Sequence, residues 1–172
     1  KHQLRKSTCM PQENPYMKNI LGLVLTAALT LCATLALANE VKTPHFSITL
    51  PDDWTQPNEI ISQQGSSVAL FQNTTDGTAV TVTVVDAPMS ARDVAEQTVK
   101  GMKNGGIVAS APHEENGFYV SSFEQDGAKG ISYFGSNGKT FAVTSIVGPD
   151  LNTGKNLLKN LKITDAKLIP AF

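Results

Sequence analysis

The sequence predicts an α+β domain, a central antiparallel β-sheet flanked by helices, and three observations carry that expectation. Four dipeptides that favour positive φ, Asp76-Gly77, Asn116-Gly117, Asp126-Gly127 and Asn137-Gly138, each lie between runs of strand-forming residues. That is the pattern of tight antiparallel hairpins. The runs they join alternate apolar and polar side chains with a period of two. Two amphipathic segments, at residues 90–104 and 150–161, punctuate the strands. Hairpins, helix, hairpins, helix is not a βαβ order, so the helices are expected to lie on an antiparallel sheet.

The first strand lies in "HFSITLPDDW", residues 45–54, where Phe46, Ile48 and Leu50 share one face. Pro51 has no N–H to give a ladder and ends it. Trp54, the chain's one tryptophan, is expected to fold back over a sheet edge. Val68 and Leu70 then oppose Ala69 and Phe71, and "TAVTVTVV", residues 78–85, sets Val80, Val82 and Val84 against Thr81 and Thr83. Ser90, three residues before Asp93, caps a helix whose inner face is Ala91, Val94, Ala95, Thr98 and Met102, and Asn104-Gly105-Gly106 ends it. A second meander follows: residues 107–114, "FYVSSFEQ", "AKGISYFGS" and "KTFAVTSIVG". The last helix is capped by Asp150 or Asn152 and aligns Leu151, Gly154, Leu157, Leu158 and Leu161 on one stripe.

Upstream of the domain, Lys18 precedes an apolar run from Ile20 to Ala38 that closes on Ala36-Leu37-Ala38, a small-x-small pattern. Residues 17–38 are therefore expected to be a signal peptide cleaved near Ala38, with a periplasmic or secreted product. The run is also long enough to span a bilayer, but no basic cluster follows it, and Leu31 stands where acylation at Cys32 would need a small residue. Residues 1–16 precede Met17 and are expected to be an upstream extension outside the fold. Residues 39–172 then form one domain, of a size that can bury its own core.

Composition excludes several classes of function. The chain carries a formal charge of −1, and most of its upstream charges are basic, so the domain is mildly acidic and a poor match for nucleic acid or an anionic membrane. Both cysteines, Cys9 and Cys32, lie upstream of residue 39, which leaves the domain without thiol chemistry or staples. No Gly-x-Ser-x-Gly elbow, phosphate-cradling glycine loop or paired-histidine helix motif is present. "DLNTGKN" has Lys155 where a calcium loop needs glycine and Leu161 where it needs a bidentate Glu, so helix capping explains it better. No cofactor or metal is expected.

The candidate site residues are few. Asp52 and Asp53 are adjacent in an extended segment and point to opposite sides, as loop acids or as binding groups. His113 stands beside Glu114 and Glu115 at a strand end; a ligand or acid–base role would need convergence with His45 or a distant carboxylate. Phe118, Tyr119, Phe123, Tyr133, Phe134 and Phe141 form either core or a ligand wall.

"FSITLPDDW" resembles the opening strand of the PsbP-like and DcrB-like domains, in which Phe-x-Ile/Val-x-Leu/Tyr-Pro leads through a short turn to Trp. The order of elements matches over residues 44–165. The resemblance implies an α/β/α sandwich in a superfamily, shared with Ran-binding import factors, whose members mostly bind other proteins rather than catalyse. No family site carries over, because the matched residues, Phe46, Ile48, Leu50, Pro51 and Trp54, are structural. The signal peptide departs from the cytosolic secretion chaperones of that superfamily.

The leading expectation is thus a non-enzymatic exported accessory protein that holds a protein partner, in envelope maintenance, stress or secretion support. The alternatives are a carrier of a small apolar ligand or lipid in a pocket between helix and sheet, and a hydrolase built on His113 with Glu114 or Glu115.

Overall fold

The computed structural model describes residues 40–172. The expected extension, signal peptide and cleavage site lie outside the described residues.

Among the described residues the regular structure is mainly antiparallel β-sheet, with two helices, α1 (Ala91–Asn104) and α2 (Leu151–Leu158). The main sheet is built from β3 (Trp54–Thr55), β4 (Ile61–Gln63), β5 (Ser66–Asn73), β6 (Ala79–Val85), β7 (Val108–Ala109), β8 (His113–Glu115), β9 (Phe118–Gln125), β10 (Ala128–Ser136) and β11 (Phe141–Val147). Its order is β3-β5-β6-β11-β10-β9-β7, with β4 also on β5 and β8 also on β9. Both outer edges are therefore broken strands, interrupted at 56–60 by Pro57 and at 110–112 by Pro112. Short, interrupted edges of this kind limit uncontrolled strand pairing.

The opening strand is not part of this sheet. β2 (Phe46–Thr49) sits between β1 (Glu40–Lys42) and β12 (Leu161–Ile163) in a separate three-stranded sheet. Leu161 pairs with Ile48 and Ile163 with Phe46, so the helical stripe expected to reach Leu161 stops at Leu158. The sequence "LKI" satisfies both periods, and pairing with a buried strand decides between them.

Cross-strand register separates two faces of the main sheet. Phe71, Val80, Val82, Val84, Ala142 and Ile146 share one face and pack with Phe46, Ile48, Leu50 and Trp54 of the opening segment and with Leu157, Leu158, Leu168 and Ile169. The small sheet, α2 and the C-terminal tail thus cover this side. On the other face, Val85, Phe134, Phe141 and Val143 meet Val94 and Ala95 of α1, while Met102 meets Ile107 and Phe123. Ser90 caps α1 reciprocally, its Oγ accepting the Asp93 N–H at 3.1 Å and donating to the Asp93 carboxylate at 2.6 Å.

All four dipeptides turn antiparallel hairpins, but by two mechanisms. Asn116-Gly117 and Asp126-Gly127 place both residues at positive φ, the mirror-image two-residue turn. At Asp76-Gly77 and Asn137-Gly138 only the glycine is at positive φ, and longer loops are held by asparagine side chains. Asn73 Oδ1 accepts the N–H groups of Thr75 and Asp76, and Asn137 Oδ1 those of Lys139 and Thr140. A further two-residue turn, Gln64-Gly65 with φ of 49° and 77°, joins β4 to β5.

Candidate functional site

The acidic pair ahead of Trp54 lies in a tight turn and not in the expected extended segment, the Trp54 N–H donating to the Pro51 carbonyl at 2.9 Å, and only Asp53 is drawn into the architecture. Asp53 Oδ2 accepts a hydrogen bond from Asn73 Nδ2 at 2.9 Å, and its carbonyl accepts from the Thr74 N–H and hydroxyl at 2.8 and 3.1 Å. Asn73 itself is buried, so Asp53 clamps the β5–β6 loop to the segment entering β3. Asp52 is exposed beside it. In the same loop Asp76 accepts the Thr78 N–H at 2.8 Å, which holds its carboxyl below the usual carboxylate range against the opposing effect of burial.

His113, Glu114 and Glu115 all lie exposed on β8. His113 and Glu115 share one face, Nε2 to Oε2 being 3.7 Å, and Glu114 projects from the other. His45 is far more enclosed, its side chain 14% exposed, and stands 3.8 Å from the Asp86 carboxylate at the start of β2. Asp86 in turn accepts a hydrogen bond from the Thr140 hydroxyl at 2.9 Å. The structure therefore gives the two histidines different carboxylate neighbours. Among the described residues no group of three or more His, Cys, Asp or Glu side chains is placed to hold a metal ion.

The aromatic side chains divide between the faces. Phe123, Phe134 and Phe141 are buried under α1, and Tyr133 meets Phe172 edge-on across 5.0 Å on the opposite face. A depression of about 280 Å³ opens elsewhere, between the 105–108 turn and the β9–β10 turn. Exposed Val108 lines it with the acids Glu124 and Asp126.

One surface emerges that no motif marks. Helix α1 packs on β7, β9, β10 and β11 and reaches β6 at Val85, leaving β4, β5 and the rest of β6 on the same face without a helix over them. Val68 and Leu70 of β5 project there, half-buried, with Thr81 beside Leu70. Ile61 of the edge strand pairs with Val68 and is 41% exposed. Thr83, between Val68 and Val143, is buried with no hydrogen-bond partner for its hydroxyl among the described residues. The strip mixes these apolar side chains with threonines and carries no charged side chain on β5 or β6.

No helix among the described residues is long and apolar enough to cross a membrane. No family model matches the chain, and no curated protein matches it. A solved structure from Bacteroides thetaiotaomicron VPI-5482 is similar, with 15% sequence identity and a TM-score of 0.45 over 76% of this chain. The chain spans about half the length of that protein, the match covering 50% of it.

Proposed function

We propose that the chain is a non-enzymatic accessory protein of the PsbP-like kind, exported to the periplasm, that holds a protein partner on the uncovered strip beside α1. The observation that carries this reading is the line Ile61, Val68 and Leu70, apolar side chains left accessible where the same face is elsewhere covered by α1. An exposed apolar strip next to a packed helix favours an occupant that completes the layer. On this reading the small sheet and α2 replace one helical layer of an α/β/α sandwich, and the binding strip is the unfilled part of the other. The enclosed aromatic residues and the exposed β8 histidine take no direct part.

The test is crosslinking capture from envelope preparations with tagged wild-type chain and with Leu70→Glu, followed by mass spectrometry. A partner captured by the wild type and lost with the variant supports the reading. A partner captured equally by both, with Leu70→Glu folded by circular dichroism, removes it.

A further inference from the structure

Three Asn-Gly dipeptides occur in the described chain, Asn104-Gly105, Asn116-Gly117 and Asn137-Gly138, and the fold treats them differently. This dipeptide is chemically reactive, because glycine leaves its own amide nitrogen sterically free to attack the asparagine side chain. The nitrogen bonds to Cγ, the Cγ–Nδ2 bond breaks and ammonia leaves, carrying the proton given up by the amide. Water then opens the succinimide at either carbonyl to give aspartate or isoaspartate. The reaction needs a free glycine N–H and a mobile asparagine amide.

At two of the sites the first condition fails. Gly105 N–H donates to the carbonyls of Gly101 and Met102, both at 3.0 Å, at the end of α1. Gly138 N–H donates to Ser136 Oγ at 2.9 Å. The Asn137 amide is held as well: Oδ1 accepts two backbone N–H groups, and Nδ2 donates to Asp165 Oδ2 at 2.8 Å. At Asn116 both conditions are met. Asn116 and Gly117 are exposed in the two-residue β8–β9 turn, and among the described residues the Gly117 N–H donates no hydrogen bond and the Asn116 amide makes none.

We infer that Asn116 is a site of spontaneous deamidation in the folded chain, and that the fold protects Asn104 and Asn137 from the same reaction. Its consequence falls on one sheet edge. Conversion adds a carboxylate beside Glu114 and Glu115, and the isoaspartyl product adds a methylene to the backbone of a two-residue turn. That changes the turn geometry which sets the pairing of β8 with β9.

The experiment is timed incubation of the full chain at mildly alkaline pH, with and without denaturing urea, and peptide mapping for amide-to-acid conversion at each asparagine. In the folded chain Asn116 is expected to convert at least about tenfold faster than Asn104 or Asn137. In urea the three rates should draw together, since each asparagine is followed by glycine. Equal rates in the folded chain, or a ratio that survives in urea, would overturn the inference.

Discussion

Asn137 Nδ2 donates a hydrogen bond to Asp165 Oδ2 at 2.8 Å, fastening the β10–β11 loop to the segment that follows β12. The same arrangement occurs at the opposite end of the main sheet, where Asn73 Nδ2 donates to Asp53 Oδ2 at 2.9 Å. In each pair the asparagine Oδ1 organises its own hairpin loop while its Nδ2 reaches an aspartate from a distant segment. Each end of the main sheet is thereby closed by one amide that both shapes a turn and fixes a connection to it.

The Asp165 clamp makes stability depend on pH. The Lys167 N–H and then the Asn137 amide hold the Asp165 carboxyl below its ordinary value of 3.8. The folded state therefore binds this proton less readily than the unfolded state, and the contribution is fully present above the unfolded value and lost as pH falls through the folded one. Urea melts of wild type and Asp165→Asn should differ at neutral pH, with the variant less stable, and converge in acid. A constant offset across the range would show that the charge is not responsible.

Trp54 is 6% exposed and packs with Phe46, Ile48 and Leu50 in the layer between the two sheets. Replacing it with alanine should cost about 3–5 kcal/mol, a large part of a typical stability of about 5–15 kcal/mol. Urea unfolding followed by circular dichroism measures this without relying on the lost fluorophore. Coincident melts would mean that the indole is not a core element.

Gly135 is expected to reverse the usual effect of alanine. In a strand interior alanine is normally better than glycine by about 0.5–1 kcal/mol. Here a Cβ would lie 2.3 Å from the Leu168 carbonyl oxygen and 2.5 Å from that of Lys167, so backbone must move and the buried Leu168 and Ile169 must move with it. Overpacking of that kind costs about 1–3 kcal/mol, and Gly135→Ala should lower the thermal midpoint. An unchanged or raised midpoint would place the C-terminal tail away from β10.

Local chemistry explains what the sequence made legible. The hairpins at Asn116-Gly117 and Asp126-Gly127 and the cap at Ser90 depend on residues within a few positions, and periodicity separated Val80, Val82 and Val84 from Thr81 and Thr83. The small sheet was not legible, because β1 and β12 are three residues each and pair only through β2, from opposite ends of the domain. The Gln64-Gly65 turn was missed because glutamine rarely takes positive φ. Among the site residues, Asp53 looked like a loop acid, and nothing local pointed to its partner Asn73. The strip at Val68 and Leu70 was visible as an alternation, but which strand face α1 leaves open is a tertiary fact.

The most direct test of the proposed function places a photo-crosslinking residue at position 70 on the strip, and another at position 100, where Lys100 is exposed on α1. Irradiation of envelope preparations should give a discrete protein adduct from position 70 and none from position 100. Adducts of the same protein from both positions, or from position 100 alone, would contradict the claim that this strip is the partner surface.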